Sequence, residues 1–206
     1  MTNSTSVPQG YLLEDFRLFH LNDLNSRTYN FHHHDFLKIM ILLSGNVTYV
    51  VEGRSYPLIP WDIVLVDRGQ VHRPVVDTAQ PYERILLYLS PSFLEKYSTK
   101  EASLTKCFET AQYRHSQVLR LSHETLAPIK ILLQKLEANT SCKNNDFASP
   151  LLAKILCLEF LIELNRITLS PKAGFLTEST LDYRISSLLA YINSHLDEPM
   201  NMASLS

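Results

Sequence analysis

Two histidine sites enclose a run of short β-type segments between residues 31 and 74, and this stretch constrains the fold more than any other. The run begins with three consecutive histidines at residues 32–34 and ends near His72. Between these sites lie segments rich in β-branched and large apolar residues, separated by turns that contain glycine. The segments are residues 38–43, 47–51 and 63–66, and the turn glycines are Gly45, Gly53 and Gly69. Short strands separated by turns predict a small antiparallel barrel or sandwich rather than a parallel α/β sheet.

Strand periodicity divides the residues around these histidines between two faces. Side chains at alternate positions of a strand point the same way. The first face carries His32, His34, Phe36, Lys38 and Met40. The opposite face begins with His33 and Asp35. If the first face points inward, two imidazoles, an aromatic ring and an amine enter one enclosed cavity, and His72 joins them from a later strand. This combination predicts a small-molecule pocket.

One more strand is predicted at residues 82–90, and its inward face is not decided by the sequence. Its alternating sets are Tyr82, Arg84, Leu86 and Tyr88 against Glu83, Ile85, Leu87 and Leu89. Only one set is expected to face the core. The second set is more apolar, whereas the first carries groups that suit a pocket.

Helical periodicity replaces the strand pattern at about residue 122. Ser122 is a good N-cap for a first helix, and Ser149 with Pro150 opens a second after a polar break. The second helix carries two apolar stripes, which indicates burial on more than one side. The first stripe is Leu151, Ile155, Leu158 and Ile162. Two interpretations stay open: both stripes pack within the chain, or one packs against a second protomer.

Composition narrows the function classes. Of the 206 residues, 45% are hydrophobic and 19% charged, as in globular proteins with a packed core. A formal net charge of −2 gives the whole chain no reason to adhere to nucleic acid or anionic membranes. No signal peptide is visible, no apolar run approaches the ~20 residues of a membrane span, and the three cysteines are scattered. These features predict a soluble, cytoplasmic protein without membrane partners.

The histidine sites resemble two known motifs. The pair His32 and His34, followed by Lys38 and Gly45, resembles the first cupin motif, and the run Gly-Gln-Val-His that ends at His72 resembles the second. The complete sequence of residues 32–39, together with the motifs Val-Glu-Gly-Arg and Val-His-Arg-Pro, resembles the sensor domain of AraC-type transcription regulators. The resemblance implies a mainly β fold with C-terminal α: a cupin-like antiparallel β-barrel (jelly roll), then an αα dimerisation hairpin.

Two departures from the cupin pattern shape the site prediction. Lys38 stands where cupins have glutamate, and Trp61 where they have glycine. A cation at position 38 removes a metal ligand and repels a divalent ion, so no cofactor is predicted; a metal, if bound, would lie on His32, His34 and His72. Lys38 would instead pair with an anionic ligand. The predicted ligand-binding residues are His32, His34, Phe36, Lys38, Tyr49, Trp61 and His72.

Catalytic residues are not predicted, because no nucleophile motif or P-loop is present. The main alternative is a metal-dependent cupin enzyme, a dioxygenase or isomerase, and a third is a pure oligomerisation module.

The last residues also resemble an AraC-type regulator. Residues 189–199 resemble the first helix of its DNA-binding domain, and residues 201–206 the start of the next. The predicted organisation is a barrel with an N-terminal arm (1–120), a dimerisation hairpin (121–168), a linker (169–180) and a truncated DNA-binding domain (181–206). The resemblance implies a homodimer whose small-molecule effector, a sugar or small organic acid, shifts the DNA-reading domains. Because the reading helix would follow residue 206, the 206-residue chain is expected not to bind specific DNA.

Overall fold

A computed structural model describes residues 12–24, 29–77, 80–141, 146–176 and 180–181. The strands are β1 (Phe16–Asp23), β2 (Leu37–Ser44), β3 (Val47–Val51), β4 (Arg54–Pro57), β5 (Ile63–Val66), β6 (His72–Val76), β7 (Tyr82–Leu89), β8 (Val118–Leu119) and β9 (Thr180–Leu181). The helices are α1 (Pro91–Tyr97), α2 (Lys106–Tyr113), α3 (His123–Ser141) and α4 (Ser149–Leu169). The predicted N-terminal arm and the predicted helix within residues 182–206 lie outside the described residues.

The strands form two antiparallel sheets. The larger has the order β1-β7-β2-β5-β8, and the smaller has the order β6-β3-β4-β9. The antiparallel architecture with C-terminal helices agrees with the prediction, but the expected closed barrel is not found. Among the described residues no strand is shared between the two sheets, and an isolated bridge between His32 and His72 ties the segment before β2 to the smaller sheet. The β-region is therefore an open two-sheet sandwich.

The central strand β2 is buried on both faces. Ile39 and Ile41 point to the helices and belong to what we call the helix-side core. Met40 and Leu42 point to the smaller sheet and belong to what we call the intersheet core. The neighbouring strand β7 behaves in the same way, with Leu87 on the helix side and Leu86 between the sheets. The expectation that only one face of β7 meets a core is therefore wrong, because the helices cover the second face.

Helices α3 and α4 cover the outer face of the larger sheet. Leu156, Phe160 and Leu164 of α4 are buried in the helix-side core. The other predicted stripe of α4 is open: Leu151 is 57% exposed, Ile155 50% and Ile162 42%, while Leu158 is half-buried. Most of one stripe thus packs within the chain, whereas Leu151, Ile155 and Ile162 of the other are exposed and Leu158 alone in that stripe packs against the helix-side core. No helix in the described part of the chain combines the length and apolarity that a membrane span requires.

The part of the predicted linker that the structure describes is packed on both sheets. The Arg120 amide donates to the Gly174 carbonyl (2.8 Å) and the Leu176 amide to the Val118 carbonyl (2.9 Å). A Cβ on Gly174 would lie 2.4 Å from the Arg120 carbonyl oxygen, so this close approach requires glycine. Further along, β9 pairs with β4 of the smaller sheet.

Candidate ligand site between the sheets

The residues around β2 follow the predicted alternation. His34, Phe36 and Lys38 are buried, whereas His33 and Asp35 are exposed. The inward residues meet His72 at the start of β6 and Tyr49 on β3, both of which are buried. His32 lies at the rim and is half-buried. Six of the seven predicted ligand-binding residues therefore lie together, and we call them the polar cluster. They are His32, His34, Phe36, Lys38, Tyr49 and His72.

Close ring contacts hold the polar cluster together. The His34 and Phe36 rings stack with centroids 4.0 Å apart. The His72 centroid lies 4.3 Å from that of His32 and 4.9 Å from that of His34. The Tyr49 and His72 rings lie almost parallel at 6.0 Å. The side chains that were predicted to line one cavity are thus in contact with one another.

Among the surface cavities that the described residues line, two large ones lie away from this cluster. One, of about 720 Å³, lies beside the start of β1 and the beginning of α4. The other, of about 800 Å³, lies between the start of α3 and residues 170–176.

Backbone carbonyls fix the tautomer of each histidine in the cluster. The Nδ1 of His34 lies 2.7 Å from the Phe36 carbonyl oxygen, and the Nδ1 of His72 lies 2.9 Å from that of Gln70. His32 makes the same contact with the Asn30 carbonyl at 3.0 Å. Because a carbonyl oxygen only accepts, each Nδ1 carries the proton and each Nε2 presents a lone pair.

Burial keeps these imidazoles neutral. Desolvation, assisted by the nearby Lys38 charge, lowers the pKa of His34 to about 3. The same causes lower the pKa of His72 further, and burial also lowers the pKa of His32. The three rings are therefore uncharged at neutral pH.

Lys38 is the unusual charge of the cluster. Its Nζ donates to the His72 Nε2 at 3.2 Å and lies 5.7 Å from the centroid of the Tyr49 ring. No carboxylate of the described residues forms an ion pair with Lys38, whereas Arg84, also between the sheets, pairs with Asp23 at 2.8 Å. Burial, with repulsion from Arg84, lowers the pKa of Lys38 to about 7. The cluster thus contains a titrating amine with no acidic partner in the described structure.

Two polar atoms of the cluster have no hydrogen-bond partner among the described residues. They are the His34 Nε2 and the Tyr49 hydroxyl. Both belong to residues less than 10% exposed, at 6% and 1%. Because an unpaired buried polar group costs about 1–3 kcal/mol, two in one cluster indicate a place where another molecule completes the bonding.

The cluster does not fit a metal ion, although cupin motifs imply one. Three Nε2 lone pairs could in principle act as ligands. However, the Lys38 Nζ occupies the lone pair of His72. No group of three or more His, Cys, Asp or Glu among the described residues has the arrangement that holds a metal ion. Lys38 stands where a carboxylate ligand would be needed and adds repulsion instead.

Trp61, the seventh predicted residue, lies apart from the others. It packs against the helix-side core, and the Lys130 Nζ lies 4.3 Å from the centroid of its ring. Its φ of 74° is the left-handed conformation for which cupins use glycine, so the turn is kept despite the large side chain. That turn directs the indole to the helices, which removes Trp61 from the candidate site.

The sequence did not decide the position of the β7 residues that join the cluster. The Tyr88 ring lies 4.6 Å from that of Phe36 and 6.2 Å from that of His34. Arg84 stacks on Tyr82, with 4.1 Å from its Cζ to the ring centroid. The available signal was that these residues occupy alternate positions of β7. The sequence did not show that helices bury the other face of this strand.

The sequence matches one protein family over most of its length. Residues 16–161 match the family described as AraC-like ligand binding domain. The chain belongs to this family. The matched range of this AraC-like domain includes both sheets up to β8, helix α3 and the first part of α4. No curated protein matches the chain.

Solved structures similar to the AraC-like domain include cupins with low similarity. A salicylate 1,2-dioxygenase from Pseudaminobacter salicylatoxidans is 20% identical over 36% of this chain and 22% of its own, with a TM-score of 0.34. A Cupin 2 conserved barrel domain protein from Salinispora arenicola is 18% identical over 44% of this chain and 76% of its own, with a TM-score of 0.36. The chain spans about a fifth of the dioxygenase. At these values neither structure carries an argument about function.

Proposed function

We propose that this chain is the effector-sensing and dimerisation region of a DNA-binding transcription regulator. A small organic molecule binds at the polar cluster and favours one arrangement of the helices and of the segment after α4. The attached DNA-reading domains follow that arrangement. Membership of the AraC-like ligand-binding family supports the sensing role. DNA contact is assigned to the attached DNA-reading domain and not to the residues that the structure describes.

The observation that carries the proposal is the unsatisfied chemistry of the polar cluster. Lys38 is buried with no acidic partner in the described structure, and the His34 Nε2 and the Tyr49 hydroxyl are unpaired. Such groups cost stability in the empty protein, and a ligand that pairs with them recovers that cost. Phe36 and Tyr88 supply apolar walls beside them.

A physical connection leads from this cluster to the segment after α4. Val118 and Leu176 both pack against the intersheet core, and the Leu176 amide donates to the Val118 carbonyl. Phe175, which precedes Leu176, is buried in the helix-side core. Rearrangement of the intersheet core is therefore expected to change the position of residues 174–176, which lead to the proposed DNA-reading domain. A coupling of ~1–3 kcal/mol is typical of such linkage.

Ligand sensing is tested by binding with matched variants. Thermal unfolding of the chain is recorded with sugars and small organic acids in the millimolar range. A ligand of the polar cluster raises the unfolding temperature of the wild type and of His33→Gln, whose imidazole is exposed. The same ligand has no effect on Lys38→Met. Equal responses of Lys38→Met and the wild type would place the ligand elsewhere and reject the proposed site.

Dimerisation is proposed through the open stripe of α4, which is Leu151, Ile155, Leu158 and Ile162. Exposed apolar side chains repeated along one helix are typical of a surface that a second protomer covers. Sedimentation at micromolar concentration is expected to give a dimer for the wild type and a monomer for Ile155→Arg. Tyr113→Arg introduces the same residue at a separate large side chain, 86% exposed on α2, and is expected to stay dimeric. A monomeric wild type would contradict this part of the proposal.

Metal analysis separates this function from the cupin enzyme alternative. Protein purified without a histidine tag is expected to contain no stoichiometric transition metal. One bound zinc, iron, copper or nickel ion per chain, lost in His72→Phe, would favour the enzyme.

A further inference from the structure

The unpaired atoms of the polar cluster differ in what they require. His34 donates its Nδ1 proton to the Phe36 carbonyl, so its Nε2 can only accept a hydrogen bond. This Nε2 is buried and has no donor among the described residues. Protonation does not satisfy it at neutral pH, because burial lowers the pKa of His34 to about 3. The atom therefore requires a neutral donor, such as a hydroxyl, from a ligand.

Lys38 and Tyr49 have the opposite requirement. The Lys38 amine has three hydrogen-bonding directions when charged, and one is used by the His72 Nε2. Burial holds the pKa of Tyr49 well above its usual value, so its unpaired hydroxyl keeps a proton to donate. The second cation between the sheets, Arg84, is already paired with Asp23. One negative group on the ligand would satisfy both Lys38 and Tyr49.

We infer that the effector is a small hydroxy acid, a class that includes the sugar acids. Its carboxylate binds Lys38 and the Tyr49 hydroxyl, and a nearby hydroxyl donates to the Nε2 of His34. This inference rests on the proposed sensing function. That function alone also allows neutral sugars and plain organic acids, and the inference excludes both.

The alternatives each leave one group unsatisfied. A neutral sugar offers hydroxyls to His34 but no negative charge to the buried amine. A plain carboxylic acid pairs with Lys38 but has no donor for His34. A trapped water could bond to either unpaired atom, yet it would not balance the charge of Lys38. Hydrogen bonds to buried polar groups discriminate strongly between ligands. A ligand without the complementary group leaves the protein atom desolvated and unpaired.

The test uses pairs of acids and sugars that differ in one group. Calorimetry on the whole chain at pH 6.5 compares lactate with propionate, salicylate with benzoate, and gluconate with glucose. In at least one pair the hydroxy acid is expected to bind about tenfold or more tightly than its partner. If probes bind but no hydroxy acid binds more tightly than its partner in any of the three pairs, the inference is wrong while the sensing function stands. If no probe binds, both fail.

Variants assign the hydroxyl contact to His34. His34→Phe keeps the ring that stacks on Phe36 but removes the acceptor, so the preference for the hydroxyl is expected to disappear while the acid still binds. The matched variant His33→Phe changes the exposed neighbour and keeps the preference. Persistence of the preference in His34→Phe would refute the contact.

NMR tests the same contact without a substitution. The ¹⁵N resonance of the His34 Nε2 is expected to shift with the hydroxy acid and not with its plain acid. No difference between the two shifts would count equally against the inference.

Discussion

The two faces of β2 contribute side chains to two different kinds of core. On the helix side Ile39 and Ile41 are fully buried among apolar side chains of the sheet and helices. On the intersheet side, Lys38 lies two positions before Met40 and brings a charge into contact with a histidine. Adjacent residues of β2 thus point to two different regions. The helix side is an apolar core, and the intersheet side contains the candidate site.

Hydrogen bonding shows the same contrast. The buried polar Asn165 of the helix side is fully used: its Oδ1 accepts from the Cys107 amide (2.7 Å), and its Nδ2 donates to the carbonyls of Leu104 (3.1 Å) and Leu161 (2.8 Å). Between the sheets, the His34 Nε2 and the Tyr49 hydroxyl have no partner among the described residues. The buried Asn165 on the helix side thus has partners for both of its polar side-chain atoms, whereas the cluster between the sheets keeps two unpaired atoms at a cost in stability, as binding sites commonly do.

The largest expected effect lies on the helix side. Phe160 is 0% exposed in the helix-side core, and Phe160→Ala is expected to lower the free energy of unfolding by about 3–5 kcal/mol. Urea unfolding measures the change. The control Leu151→Ala removes a side chain that is 57% exposed and should cost much less. A similar loss in both variants would mean that α4 is not packed as described.

Matched polar-to-apolar changes compare the two regions directly. Asn165→Leu leaves the Cys107 amide and the Leu104 carbonyl unpaired, so it is expected to cost about 2–3 kcal/mol. His34→Phe removes an unpaired Nε2 and deprives only the Phe36 carbonyl of a donor, so it should cost about 1 kcal/mol or less. Equilibrium unfolding in urea gives both values. An equal cost at the two positions would remove the contrast.

The sequence predicted the alternation of the candidate residues better than it predicted the packing around them. Alternation along residues 32–40 placed His34, Phe36 and Lys38 on one face, because the period of a strand is local information. The approach of His72 from β6 followed from motif resemblance. Neither source showed how closely these side chains pack against one another between the sheets, since packing across two sheets depends on contacts far apart in the chain.

Trp61 and β7 show what local patterns leave undetermined. Trp61 is aromatic and close in sequence to the site, but a left-handed turn directs it to α3. The two faces of β7 could not be ranked, because α3 and α4, which share the helix-side core with Leu87, begin more than thirty positions later in the sequence. The boundaries of the linker were read from composition, whereas Gly174 is required by its contact with the Arg120 carbonyl.

Removal of the buried charge should stabilise the protein while it abolishes sensing. Lys38→Met replaces the amine with an apolar side chain of similar length, and a gain of about 1–2 kcal/mol is expected at pH 6. The folded pKa of about 7 lies below the ordinary value of 10.5, so between these values the unfolded chain binds more protons and wild-type stability rises with pH. The advantage of the variant should therefore shrink by pH 9. Urea unfolding at the two pH values measures it, and a destabilised variant would contradict the cost assigned to the intersheet side.

The smallest expected effect is on the pH dependence of binding. An anion prefers the charged form of Lys38, whose pKa is about 7 in the empty site, so affinity for a carboxylate should fall by about threefold between pH 6.5 and 7.5. Burial moves the pKa values of the facing groups away from this range: it lowers those of His32, His34 and His72, and it raises those of Tyr49 and Tyr88. Arg84 is paired with Asp23. Calorimetry in two buffers of different ionisation enthalpy should also detect uptake of a fraction of a proton at pH 7.5. The same affinity at both pH values, with no proton uptake, would show that Lys38 does not hold the anion, and the intersheet side would then need another reason for keeping a buried amine.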